Sequence, residues 1–332
     1  MNLRIFTLIV FIVFLYSCKS KNQNAITGSH IDVFDKDLLK HFNFSLPPDT
    51  LGSGYIWSEG PVYSKSLNKL LFNDIPPNIL YQWSENEGVS IYLQPSGYTG
   101  LEEHGGEQGA NGLIIDEKDR LVLCQHGDRR VAAMDSPLNN PEPKFITLAS
   151  HYYGKKLNSP NDLCMSRSGH IYFTDPPYGI GKNEVKELDF QGVYRIDANG
   201  GISLLTDTLT RPNGIALSPD EKTLFIANSD PAKPFLYAYD LDDDEGLISN
   251  GRIFYDMTQH VPSGRGLPDG LKIHSLGYIF TTGPGGVHIL NLDGKPLGRI
   301  KTLKAVSNCA FGPDEKDIFL TNHDLLVRVN IQ

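Results

Sequence analysis

Residues 159–179 read SPNDLCMSRSGHIYFTDPPYG, and residues 211–229 read RPNGIALSPDEKTLFIANS. Each stretch sets Pro-Asn before a short apolar run, then a polar turn, then a second apolar run that ends on Asp or Asn. Working outward, the same layout recurs at EGPVY (Glu59), ANGLII (Asn111), PDGLKI (Asp269) and SNCAFG (Asn308), so that six motifs start at Glu59, Asn111, Asn161, Asn213, Asp269 and Asn308. The spacing is about fifty residues, with a shorter last interval, which is the signature of a repeat architecture.

Second runs follow every motif (KLLFND, RLVLCQH, HIYFTD, TLFIAN, YIFTTG, DIFLTN), and third runs follow these (ILYQW, RVAAMD, GVYRID, FLYAYD, GVHILN, LLVRVN). They are rich in β-branched and aromatic residues and are punctuated by Gly, Asn, Asp and Pro, so they read as short strands joined by turns. A fourth run appears in five units (VSIYL, KFITLA, ISLLT, GRIFYD, GRIKTL), while the sixth unit stops at Gln332 without one. Four-stranded units repeated six times predict an all-β, six-bladed β-propeller around a central channel. Closing the ring requires the segment between Ile31 and Leu51 to supply the missing strand. One domain over residues 31–332 follows.

Composition agrees with this. The 332 residues are 40% hydrophobic, 10% aromatic and 21% charged, with 32 Gly and 21 Pro, which suits a turn-rich β protein. A net charge of -9 without a basic run argues against a nucleic-acid partner, because phosphate binding needs clustered Lys and Arg. A small polar or anionic molecule fits better. The body holds Cys124, Cys164 and Cys309 inside apolar runs, an odd number that predicts buried free thiols.

Residues 1–17 read as a signal peptide: Arg4 precedes an apolar run over residues 5–15 that is short for a membrane span, and small Ser17 stands directly before Cys18. The segment LYSC resembles a bacterial lipoprotein signal, which implies a lipid on Cys18 after cleavage and a polar tether over residues 18–30. The expectation is an exported, periplasmic or cell-envelope lipoprotein, held to the membrane through Cys18 and otherwise monomeric.

In a propeller the innermost strands meet at the channel mouth, so the six motif residues converge there although they are far apart in sequence. All six present an oxygen, two as carboxylates, and none is Lys or Arg. Such a set suits a hard divalent cation rather than the nitrogen and sulfur ligation that zinc prefers. The competing reading is that Asn and Asp occupy turns beside Gly and Pro. Four motifs with Pro beside the oxygen-bearing residue (EGP, PND, PNG, PDG), all in register, favour the cation.

The stretches EGPVY, SPNDLCMSRSGHIYFTDPPYG, RPNGIALSPDEKTLFIANS and LPDGLKI resemble the senescence marker protein/gluconolactonase family of sugar lactonases, over about residues 50–330. The resemblance implies one metal, most often calcium, held by Glu59, Asn161, Asn213 and Asp269. It also implies Asp269 as catalytic acid/base and Asn111 as a contact for substrate hydroxyls. Magnesium, manganese or zinc are alternative ions for an oxygen site that keeps water positions.

Roles for His126 and Asp175 stay open. His126 either contacts substrate or is structural, and Asp175 either lines the site or caps the turn before Pro176-Pro177. Asn308 divides likewise between hydroxyl binding and turn formation. The Gly-rich residues 102–108 (EEHGGEQ) read as a loop on the channel side, and residues 241–246 (LDDDEG) as a solvated hairpin without EF-hand spacing. No GxSxG is present. The expected function is metal-dependent opening of a sugar lactone, with the cation polarising the carbonyl and Asp269 as general base. Hydrolysis of an aryl ester or phosphotriester on the same scaffold, and sugar binding without chemistry, are the alternatives.

Overall fold

The computed structural model describes residues 30–332, so the signal-like run over residues 5–15 and Cys18 lie outside the described residues, as does nearly all of the expected tether. The described chain forms six antiparallel blade sheets, one per repeat, in the strand order expected of propeller blades, and a separate two-stranded ribbon of His151–Tyr152 with Lys155–Lys156. Blade 1 runs Ser58–Ser64, Lys69–Asp74, Ile79–Ser84 and Gly88–Leu93 from the channel outward. Blades 2 to 5 begin at Ala110–Ile115, Leu163–Met165, Pro212–Leu217 and Leu271–Ile273, and blade 6 at Asn308–Phe311.

The ring closes as the missing run required. Asp49–Ser53 pairs antiparallel with Leu325–Asn330, so the N-terminal segment supplies the outer strand of blade 6. An additional strand, His30–Val33, pairs with Pro296–Lys301 and gives blade 5 a fifth strand. His30, the last residue of the expected tether, therefore begins the fold. Between these strands a 3-10 helix, Lys36–Lys40, drives Leu38 into the seam of blades 5 and 6, where Phe42 joins it. Gly298 makes room: a Cβ there would stand 2.7 Å from Leu38 Cδ2.

The middle strands are apolar on both faces because each blade is covered on both sides. In Thr223–Asn228, Leu224 and Ile226 pack toward blade 3 while Phe225 and Ala227 pack toward blade 5, following the two-residue period of a strand. Six separate hydrophobic clusters result, one at each blade-to-blade seam, including the seam of blades 6 and 1 made by Tyr55, Leu70, Phe72, Trp83, Phe319 and Leu326. A solenoid would lack that last seam.

Polar groups join the blades near the channel. Asn73 Nδ2 donates to the Asn111 carbonyl at 2.7 Å, Thr174 Oγ1 to the Asn213 carbonyl at 2.6 Å and Ser307 Oγ to the Ser58 carbonyl at 2.6 Å. Gly112 N–H reaches the Asn161 carbonyl at 2.7 Å and Gly214 N–H the Asp269 carbonyl at 3.1 Å. The glycines after the motif residues are needed for this closeness: a Cβ on Gly214 would lie 2.1 Å from the Asp269 carbonyl oxygen. Cys124, Cys164 and Cys309 are free thiols, as predicted; Cys124 and Cys309 are buried as expected, whereas Cys164 is only half-buried. The residue 241–246 hairpin is less solvated than expected, because Asp243 turns back onto Ser168, His170 and Tyr172 of blade 3.

Candidate active site at the channel mouth

Five of the six motif residues line one cavity of about 430 Å³: Glu59, Asn111, Asn161, Asn213 and Asp269. Each stands on or beside the first strand of a different blade, so the ring alone brings them together. A larger groove lies at the turns of blades 1 and 2, around Ser66, Lys118 and Leu138, away from every motif.

The donor atoms in the cavity are short of partners. Asn111 Oδ1, Asn161 Oδ1 and Asp269 Oδ1 are buried and accept no hydrogen bond. Such atoms carry a desolvation cost of about 1–3 kcal/mol each unless something else satisfies them. Glu59 accepts the Gly60 N–H at 2.7 Å, and Asn213 donates to Ser229 Oγ at 3.0 Å. Burial pushes the Asp269 carboxyl well above the usual range, and Glu59, Asp162 and Glu107 push it further. Glu59 is raised as well, by burial first, against the Gly60 N–H and with Asp162 adding repulsion. Two buried carboxylates that repel one another, beside unpartnered amide oxygens, fit a divalent cation electrostatically.

The remaining predicted residues fall elsewhere. Asp175 does not reach the cavity: its two oxygens accept the backbone N–H groups of Asn158 at 2.7 Å and Ser159 at 2.8 Å. Burial raises its pKa to about 7 despite those bonds. Of the two roles left open for Asp175, contact with substrate gives way to capping, here of the backbone at Asn158 and Ser159, because both acceptor oxygens are already engaged. Asp74 does the same for Ile56 and Trp57 in blade 1, and Asn228 for Arg211 in blade 4. Asn308 is also absent from the lining. Its Oδ1 accepts the Cys309 N–H at 2.9 Å and its Nδ2 lies 3.3 Å from Asp162 Oδ2, with Lys272 nearby. His126 is fully buried behind Asn111, with Nε2 3.4 Å from Asn111 Nδ2.

Sequence reasoning missed much of the wall, although a signal existed. Trp57, Arg211, Leu267 and Val306 line the cavity, and each stands two residues before its motif residue. Ile75 and Ser229 also line it, each one residue after the capping Asp74 or Asn228, a position that His126 occupies after Gln125 in blade 2. The repeat thus offers three recurring positions to the mouth, used in some blades and not in others. Gly266, Ala305 and Tyr178 also line it, as does Glu107 from the 102–108 loop that the sequence placed on the channel side.

Fold and site together define a six-bladed propeller whose channel mouth gathers buried oxygen donors around two carboxylates. Residues 57–324 match the SMP-30/gluconolactonase/LRE-like region, and the chain belongs to that family. It is 37% identical to a gluconolactonase of Zymomonas mobilis over 317 residues, which span 93% of this chain and 88% of that one. A solved gluconolactonase from Xanthomonas campestris superimposes with a TM-score of 0.79 at 29% identity, covering 91% of this chain and 95% of the other. A calcium-binding regucalcin from Agrobacterium tumefaciens shares the fold, with a TM-score of 0.66 at 19% identity over 85% of this chain and 92% of its own.

Proposed function

We propose that the protein is a lactone hydrolase of the gluconolactonase class, which opens a sugar lactone at the channel mouth with one divalent cation held by Glu59, Asn161, Asn213 and Asp269. The observation that carries this reading is the set of unpartnered, buried oxygens on Asn111, Asn161 and Asp269, gathered beside Glu59 in one cavity. An oxygen-only donor set with two carboxylates suits calcium. Bound there, the cation would polarise the lactone carbonyl and stabilise the oxyanion formed from it.

The chain's own residues supply the rest. Asp269 is the base, since its Oδ1 stands in the cavity without a hydrogen-bond partner; a bound cation would favour its charged form, and activation of the water by the same cation would offset the weaker base. A water oxygen bonds to the carbonyl carbon, Asp269 accepts the water proton, the ring C–O bond breaks, and the proton passes to the departing alkoxide. Asn111 is placed to meet a ring hydroxyl. Trp57, Ile75, Leu267 and Val306 limit the water that reaches the reacting atoms. Export and a membrane tether through a lipid on Cys18 complete the proposal, supported by the residue 1–18 pattern. Exchange of Cys18 for Ser should release the protein from membranes.

The test follows acid release from a panel of lactones, aryl esters and phosphotriesters, with calcium and after chelation. A hydroxylated lactone should be hydrolysed best, chelation should abolish turnover, and Asp269→Asn should lower kcat by at least about 100-fold. Preference for an aryl ester would shift the substrate class toward the apolar wall. Turnover of no panel member would leave a binding protein. Full activity of Asp269→Ala with the metal retained would remove Asp269 as the base.

A further inference from the structure

We infer that Glu107 and His126 are positioning residues that fix which end of the Asn111 amide faces the cavity, so that the site selects rings bearing hydroxyl donors. The inference rests on the sugar-lactone reading and adds two groups that act through a third. Asn111 is 3% exposed and stands at the start of blade 2. Its Nδ2 lies 3.4 Å from His126 Nε2, while its Oδ1 has no partner. On the far side of the imidazole, His126 Nδ1 lies 3.4 Å from Glu107 Oε2. That contact is within ion-pair reach but misses hydrogen-bond geometry, leaving Nδ1 unpaired. Glu107 is 42% exposed on its side chain, so a small rotation of its carboxylate completes the bond.

The imidazole has little freedom to answer in any other way. Its ring is buried, its backbone N–H is tied to the Gly109 carbonyl at 3.2 Å, and a Cβ on Gly179 would fall 2.3 Å from His126 Cβ. A neutral imidazole has one donor and one acceptor nitrogen. A carboxylate can only accept, so Glu107 places the proton on Nδ1 and leaves Nε2 as the acceptor. Asn111 must then offer its NH₂ group to His126 and turn Oδ1 away from it. Asn161 and Asp269 likewise have unpartnered Oδ1 atoms. With Asn161 and Asp269 assigned to the cation, Asn111 Oδ1 is the unpartnered acceptor left for the substrate, which a ring hydroxyl satisfies and an unsubstituted methylene does not. Without Glu107 either tautomer is open, and the amide can present its donor end instead.

The experiment compares kcat/KM for glucono-δ-lactone and unsubstituted δ-valerolactone in the wild-type protein and in Glu107→Ala, Glu107→Gln, His126→Phe and His126→Gln. The preference for the hydroxylated ring should fall about tenfold in Glu107→Ala and His126→Phe, through KM, as a buried polar group loses its match. Glu107→Gln and His126→Gln keep an acceptor in the required place and should restore most of it. In an Asn111→Ala background, Glu107→Ala should change the preference less than about twofold. Parallel losses on both lactones, or an undiminished effect without Asn111, would overturn the inference. Imidazole ¹⁵N shifts give a reading independent of turnover: the Nδ1–H tautomer is expected for His126 and should be lost in Glu107→Ala, whereas an Nε2–H tautomer in the wild type would sink the idea. If neither lactone is hydrolysed while the Nδ1–H tautomer is seen, the lactone reading fails and the positioning stands.

Discussion

The glycines that follow the motif residues are where single atoms decide the site. Gly214 N–H holds the Asp269 backbone at 3.1 Å, and any side chain on Gly214 must displace that carbonyl. Gly214→Ala should therefore destabilise the protein by about 1–3 kcal/mol and also lower kcat, because the shift passes to Asp269. Denaturant unfolding and turnover measured on the same preparation check both parts. Asp175→Asn should cost a similar amount in stability, since an amide has one acceptor for the two N–H groups that Asp175 now satisfies. Its effect on KM should be smaller than that of Asn111→Ala. His288 gives a pH prediction. Burial lowers its pKa to about 4 while its Nε2 lies 3.1 Å from the Pro284 carbonyl. Between pH 6.5 and 4 the unfolded chain binds a proton that the native site refuses, so stability falls with acid by up to about 1.4 kcal/mol per pH unit. His288→Gln should flatten that slope in unfolding curves recorded across the window.

At the scale of strands, the N-terminal segment makes two unequal contributions. Asp49–Ser53 covers the open edge of Leu325–Asn330, and Arg328 clasps it through Asp49 at 3.0 Å while also reaching Glu85 at 2.7 Å in blade 1. His30–Val33 only adds a fifth strand to an edge that is otherwise complete. Removing residues 1–34 should lower Tm by a few degrees, while removing residues 1–53 also takes away Leu38 and Phe42 and exposes a strand edge. The longer truncation should aggregate or lose its cooperative transition. Calorimetry with light scattering distinguishes the two cases, and a stable, monomeric longer truncation would show that blade 6 does not need its outer strand.

Across the whole molecule, the proposed cation joins blades 1, 3, 4 and 5, because Glu59, Asn161, Asn213 and Asp269 come from those four. Its binding should stabilise the ring as a unit, by about 2.7 kcal/mol when free calcium is a hundredfold above Kd. Thermal unfolding with calcium and after chelation measures this without any substrate. A Tm unmoved by either treatment would count against a cation at this site. Glu59→Gln should abolish the calcium-dependent part of the shift, because it removes one of the two carboxylates that balance the ion's charge.

Repetition made the ring readable from the chain alone. A two-residue alternation with no polar face requires strands covered on both sides, and six such units with one strand missing require closure by the other end. Register then named the motif residues, and five of them do line one cavity. The same register held the information for Trp57, Arg211, Leu267 and Val306, which lie two residues earlier, although no chemistry-bearing residue type marked the position. Asp175 and Asn308 were different. Acidic and amide side chains serve equally as ligands and as backbone caps, and only the direction of a neighbouring N–H tells which. Glu107 falls in the 102–108 loop that the sequence already placed on the channel side, whereas Tyr178, in the loop after Asp175, carried no periodic signal. What the sequence determined by itself was the repeating frame and the residues it carries inward, because hydrophobic period and turn chemistry are local. What only the tertiary structure decided was which polar atoms remain unpaired at the mouth, because that depends on partners from other blades that are distant in the chain.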